Sequence, residues 1–376
     1  MEKIPKATIS KYISPGIDVM SFERSDLKEL FSTANPDANE ELSQSINELA
    51  HYLQEQDAKV VKMDIFGTRD AFIECKKSME REFGKINWPI TCIEGDTPFG
   101  GKVAGIQIHA VSGVPVETIY YNDYPIGRIY EDKFAKYCIL GDIHPDNIST
   151  SREEQARQTF ESMEKGLKLA GMEIRNIVRT WFFNKDILDW YREFNSVRTT
   201  FYRERGIFDG LLPASTGIGG NNAADAAIIA GAIAMQAKED NVIVKEIPSP
   251  LQCPARNYGS SFSRAVKLSM PDHCLVFVSG TASIDPEGKT LHIGNIDAQI
   301  ALTLEVVEGI FKSLGMSYSD VTRANAYFKY PKDTPAFKKY CEKYGLPAAR
   351  VVVAHNDICR DELLFEIEVD AISIAQ

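Results

Sequence analysis

The spacing of apolar positions along the chain repeats one order of elements three times. The last segment is the clearest. A strand-like run at 274–279 is followed, after a polar stretch, by Ile300, Leu304, Val307 and Phe311 at helical spacing. After Gly315 a second strand is predicted over 321–328, then a helix around 335–343. Pro347 opens a strand over 350–354, and 363–371 reads as the last strand.

The middle segment follows the same order. Ser151 and Glu154 have the spacing of a capping box, and Phe160, Met163 and Leu167 form the stripe of the helix it opens. Gly171 ends that helix; a strand is predicted over 177–183, a helix over 187–203, and an apolar stretch after Pro213 reaches Ala237. The first segment is shorter: a helix carrying Ile46, Leu49 and Leu53, a strand over 60–66, a helix over 71–83, Pro89, and a strand over 103–110. The intervals from strand valine to proline (Val61–Pro89, Val178–Pro213, Val321–Pro347) and from proline to terminal alanine (Pro89–Ala110, Pro213–Ala237, Pro347–Ala371) are similar enough to argue for a triplication. Units at 1–112, 113–240 and 255–376 are the expected division of the 376 residues.

Composition narrows the function classes. Hydrophobic residues at 44% and charged residues at 25% describe a folded chain, not a disordered or multi-spanning one. A net charge of −11 argues against nucleic-acid partners and polybasic membrane contacts. It also means that any anionic ligand needs a locally positive pocket. Seven scattered cysteines without a Cys-x-x-Cys, and six histidines without a His-Glu-x-x-His, offer neither a disulfide framework nor a metal ligand set. The opening MEKIPKATISKYISPG lacks the apolar core of a signal peptide, and the longest apolar run, 226–235, is too short to span a bilayer. A cytoplasmic protein without metal or organic cofactor is expected.

Three features of the last segment resemble the Rid (YjgF-like) family: a strand ending in Ser279-Gly280-Thr281, the sequence PAAR at 347–350, and EIEVDA at 366–371. The resemblance covers 260–376 most fully, 114–237 in part and 16–112 least. Within that superfamily, SFSRA (261–265), SGTASI (279–284), DICRDELLFEIE (357–368), VRTW (178–181), Tyr191, FNSVR (194–198) and PASTGIG (213–219) are similar to the chorismatases. The resemblance implies an α+β fold in which three Rid-like (chorismate-mutase-like) sheet-and-helix units close into a pseudo-trimer within one chain. A monomer, or a weak homo-oligomer of such chains, follows. It also implies that chorismate is cleaved to pyruvate and a dihydroxycyclohexadiene carboxylate or a hydroxybenzoate.

Cleaving an enol ether requires a proton on its terminal methylene carbon, so the acid must hold a proton near neutral pH. Glu366 sits inside an apolar run, on the strand face opposite Phe365 and Ile367, where burial would raise its pKa. The alternative is a solvated strand carboxylate like Glu368. Aligning terminal alanines equates Glu366 with Gly105 and Ala232, neither of which can move a proton, so one active cleft per chain is expected. Carboxylates of the substrate call for arginines. Arg350 follows PAA at the position where Rid proteins bind a carboxylate, and Arg198, Arg205, Arg179 and Arg264 are further candidates, each equally readable as a surface charge. Tyr191 and Thr281 could donate hydrogen bonds. Cys359 resembles a cysteine of the chorismatases, and a chemical role for it needs a lowered thiol pKa. GIGG (217–220) and FGGK (99–102) lack the context of nucleotide-binding loops and read as turns. A Rid-type enamine or imine deaminase using Arg350 and Glu366, and a non-catalytic ligand-binding protein, remain as alternatives.

Overall fold

The computed structural model describes residues 7–35, 42–95, 97 and 100–375; Phe99, where the FGGK turn begins, and the first six residues lie outside these. The first unit runs β1 (Thr8–Ser14), β2 (Ile17–Glu23), β3 (Lys28–Ala34), α1 (Leu42–Glu55), β4 (Lys59–Gly67), α2 (Arg69–Phe83), β5 (Ile90–Glu94) and β6 (Val103–Ser112). The second runs β7 (Val116–Tyr121), β8 (Tyr124–Glu131), β9 (Ala135–Ile143), α3 (Arg152–Leu169), β10 (Ile177–Asn184), α4 (Ile187–Glu204), β11 (Ala214–Gly219) and β12 (Ile228–Ala237). The third runs β13 (Ile243–Ile247), β14 (Ala265–Ser269), β15 (His273–Ala282), α5 (Ile296–Ser313), β16 (Val321–Phe328), α6 (Phe337–Tyr344), β17 (Val351–His355) and β18 (Phe365–Ile374).

Each unit is a six-stranded sheet with one strand order: β1-β2-β3-β6-β4-β5, β7-β8-β9-β12-β10-β11 and β13-β14-β15-β18-β16-β17. An antiparallel meander opens each unit, and the parallel pairs β4–β5, β10–β11 and β16–β17 close it. The meanders carry few of the runs read from the sequence. Accordingly β13, in the stretch 241–254 left between units, joins the third sheet.

Periodicity explains which face goes where. Phe365, Ile367, Val369 and Ala371 of β18 pack with Ile300, Leu304, Val307 and Phe311 of α5 in one buried cluster. Equivalent helix-on-sheet cores hold Phe160, Met163 and Leu167 in the second unit and Ile46, Leu49 and Leu53 in the first. The Ser151 side chain accepts a hydrogen bond from the Glu154 amide and caps α3. Helix exits match as well: the amides of Met172 and Met316 return to the carbonyls of Leu167 and Phe311 across Gly171 (φ 68°) and Gly315 (φ 70°). In the first unit the Ala58 amide returns to Leu53 in the same way, but Asp57 holds the left-handed position at φ 46°. A residue with a Cβ is disfavoured there by about 1 kcal/mol. Asp57→Gly should therefore raise the urea midpoint with an unchanged m-value.

The opposite sheet faces turn toward one another. β5 packs on β9, β11 on β15 and β17 on β6, so the three units close a ring. Shared apolar clusters span all three, one of them joining Phe66, Phe183, Ile229, Tyr327 and Val352. Near the axis, Lys62, Arg179 and Arg323 occupy equivalent register positions. All three cations stand over the Trp181 ring, at 4.2, 4.7 and 5.0 Å. Among the described residues no helix is long and apolar enough to cross a membrane.

Candidate active site

A cavity of about 810 Å³ lies where the second unit meets the third. One wall is α4 with β11; the other is β15, β18 and the segments 258–264 and 359–360. In α4, Trp190 has a non-helical backbone (φ −149°, ψ 16°) and its indole N–H donates to the Lys185 carbonyl (2.9 Å). Beyond this kink the helix presents Tyr191, Asn195, Arg198 and Thr199 to the cavity at helical spacing. β11 adds Ser215 and Gly217. The GIGG segment is therefore strand through Gly219, not a turn. The units are tied together here by the Ser215 amide donating to Ser279 Oγ (2.8 Å) and the Gly280 amide donating to Thr216 Oγ1 (3.2 Å).

Glu366 lines the cavity and is only 4% exposed. A side chain at Gly280 would collide with its Oε1, so the glycine makes room for the carboxyl. Burial, with the Glu368 carboxylate behind it, pushes Glu366 up to about 8, against the opposing pull of Arg264, Arg179 and Arg360. Glu366 therefore keeps its proton at neutral pH. Glu368, two residues on, is also buried, yet Arg323 and Arg179 hold it below the usual carboxylate range. Two carboxyls on one strand face are thus pushed in opposite directions, one toward its neutral acid form and the other toward its anion.

Arg198 (1% exposed) and Arg264 (4%) both reach the cavity. Arg198 donates to Asn195 Oδ1 (2.5 Å), and Arg264 Nε donates to the Cys253 carbonyl (2.9 Å). Neither has an ion-pair partner among the described residues, and Arg198 Nε and Arg264 Nη2 are buried without any hydrogen bond. Both guanidiniums lie over the ring of Phe262. Buried cations without counter-charges are costly unless an anion completes them. With Arg192, Arg203 and Arg360 also on its walls, the cavity is locally cationic in a chain of net charge −11.

Other expected residues are placed differently. Arg350 does not reach this cavity. Its Nε donates to Asp18 Oδ1 (2.6 Å) and its Nη1 to the Val321 carbonyl (2.9 Å), sealing the third unit onto β2. The ring geometry explains this: the residue after PAA faces the next unit, and here that unit supplies an aspartate. Losing one side of a buried pair costs about 3–5 kcal/mol. Arg350→Ala should therefore lower unfolding free energy by about that amount, read from denaturant curves. Arg205 lies on the surface against Glu164 and Glu204. Arg179 is buried behind the cavity wall, donating to Glu368 (2.7 Å) and Thr216 Oγ1 (2.9 Å). Thr281 Oγ1 turns back to the Ser279 carbonyl. Register also corrects one equivalence. Gly105 pairs with Phe66 as Glu366 pairs with Tyr327, but the second-unit counterpart is Ile229, opposite Phe183, not Ala232.

Cys359 and Tyr191 line the cavity beside Glu366. Burial, then the nearby Glu366, pushes the Cys359 thiol up to about 12, the opposite of what a thiolate nucleophile needs. Cys359 should consequently resist iodoacetamide at pH 7, followed by peptide mass mapping; rapid labelling would contradict this environment. Tyr258, Phe262 and Arg360 also line the site and were not singled out from the sequence. Arg192 and Arg203 sit on the helix that carries Arg198, the one signal that pointed to them.

A family model described as Endoribonuclease L-PSP matches residues 257–373. Over 217 residues the chain is 30% identical to a chorismatase of Streptomyces rapamycinicus, covering 51% of this chain and 63% of that protein's length. Over 320 residues it is 27% identical to a 3-hydroxybenzoate synthase of Streptomyces hygroscopicus, covering 76% and 90%. The chain is thus similar in sequence to chorismatases over these stretches. A crystal structure of a chorismatase superposes with a TM-score of 0.61 at 20% identity, over 83% of this chain and 92% of that one. That structure and this chain, with its three sheet-and-helix units, share a fold.

Proposed function

We propose that this protein cleaves the enolpyruvyl ether of chorismate, releasing pyruvate. The observation that carries the proposal is the buried Glu366, pushed up to about 8, on the wall of a cavity that also holds two buried guanidiniums without ion-pair partners among the described residues, Arg198 and Arg264. Chorismate is a dianion with an acid-labile enol ether, and these groups match both properties. Glu366 delivers its proton to the methylene carbon. Water adds to the resulting oxocarbenium carbon and gives up a proton, and the hemiketal collapses to pyruvate as its bond to the ether oxygen breaks; that oxygen takes up the proton and stays on the ring as a hydroxyl. The products are pyruvate and a dihydroxycyclohexadiene carboxylate. Attack by a ring hydroxyl in place of water would lead to a hydroxybenzoate. The acting unit is residues 255–376, extended back to β13, with 113–240 supplying the facing wall and 1–112 completing the ring.

The deaminase reading required Arg350 and Glu366 in one cleft. Arg350 instead lies against Asp18 at a different junction, and that reading loses its carboxylate anchor. The test is incubation with chorismate and enzymatic detection of pyruvate. Stoichiometric pyruvate release supports the proposal, and intact chorismate after prolonged incubation overturns it.

A further inference from the structure

The ring of three units creates two further junctions equivalent to the candidate active site. At the junction of the third unit with the first, the space is filled. Val352 presses on Gly105, and Asn35 Nδ2 donates to the carbonyls of Ala349 and Val351 (3.2 and 3.1 Å). At the junction of the first unit with the second, a cavity of about 580 Å³ remains.

Strand register identifies its parts. Asp142 is the counterpart of Gly280, because each precedes the residue that resumes pairing after the bulge. The Asp142 amide donates to Thr91 Oγ1 (3.1 Å) as the Gly280 amide donates to Thr216 Oγ1. A side chain at Gly280 would enter the space of the Glu366 carboxyl. Asp142 has such a side chain, and the counterpart of Glu366 is Ile229. Asp142 thus brings a carboxyl to the lining of this cavity from the strand opposite Ile229's. Asp142 is held at φ 51°, and its carboxylate has no hydrogen-bond or ion-pair partner among the described residues. Burial pushes it up to about 6. Phe72, Ile73, Trp88 and Tyr124 supply apolar walls, with Ile73 and Tyr124 largely exposed. Lys76, Glu80 and Lys85 also line the cavity; neither lysine makes an ion pair among the described residues, though Lys76 pulls against the burial of Asp142.

We propose that this cleft is a second ligand site, for a small monocyclic carboxylate bearing a hydroxyl or amino group. The carboxylate pairs with Lys76 and Lys85, the ring lies among the aromatic and aliphatic walls, and the substituent donates to Asp142. The site is independent of the reaction in the first cleft. The full chain carrying Arg198→Met, which weakens the anion site of the first cleft, is titrated calorimetrically with 3-hydroxybenzoate. One saturable site per chain is expected. Adding Asp142→Ala, or Lys76→Ala with Lys85→Ala, should weaken it by roughly tenfold or more. Benzoate, which lacks the donor, should bind Arg198→Met chains as weakly as 3-hydroxybenzoate binds the Asp142→Ala version. The two lysines are exposed, so their replacement leaves the fold intact and keeps the test valid if Asp142→Ala unfolds. Absence of saturable binding to Arg198→Met, or binding unmoved by the lysine replacements, overturns the proposal.

Discussion

Glu366→Gln is expected to abolish pyruvate release from chorismate, with kcat falling roughly 100-fold or more and KM little changed. Gln retains the size and hydrogen-bonding capacity of the side chain but has no proton to deliver to carbon. The pH profile should carry the same signature. Because burial pushes Glu366 up to about 8, its acid form is present below that pH and is lost above it. Activity should therefore hold through neutrality and fall as pH rises past about 8. The variant's thermal unfolding should show an intact fold, since the Glu366 side chain makes no hydrogen bond among the described residues that the change could break. Near-normal kcat in Glu366→Gln would remove this residue from the mechanism.

Arg198→Met should have the second large effect, and the direction of two readouts separates function from structure. Loss of a charge-assisted contact to a substrate carboxylate corresponds to about 1.5–3 kcal/mol, or roughly 10- to 150-fold in kcat/KM, carried mainly by KM. Stability of the free protein should not fall, because the guanidinium is buried without a counter-charge and methionine fills comparable apolar space against Phe194 and Phe262. Weakened chorismate use together with an unchanged or higher unfolding midpoint is the expected pair of results. A large fall in stability with unchanged KM would make Arg198 a structural residue. Arg198→Lys should recover only part of the loss, because one ammonium cannot reproduce the planar fork.

The unpaired arginines also explain how a chain of net charge −11 can hold a dianion. Charge is segregated: Glu368 and Asp370 pair with Arg179 and Arg323 near the axis, while Arg198 and Arg264 in the cavity are left open. Glu368 acts at a distance as well. As a fixed carboxylate on the same strand face, it opposes ionisation of Glu366 and helps keep the proton in place.

Elements with a strong period were legible in the sequence. The stripes of α3 and α5, the strands β10 and β16, and the sides of β18 taken by Phe365 and Glu366 follow from local spacing, because burial of one face is decided by periods of 3.6 and 2. The three meanders were largely missed, since their strands carry mixed polar faces that are covered only when the units close. Glu366 was legible because a carboxyl inside an apolar run has few structural uses. Arg350 and Arg198 were not separable by residue type: both are nearly fully buried, and the difference is the partner. Asp18, far away in sequence, faces Arg350, whereas Arg198 has no ion-pair partner among the described residues. That choice is made across unit boundaries, where the charge opposite a side chain depends on how the ring closes. The sequence by itself determined the repeated unit and the buried acid; which arginines stay free for a ligand, and which junction stays open, only the tertiary structure decided, because unlike strands from separate units meet there and fill or vacate the same space.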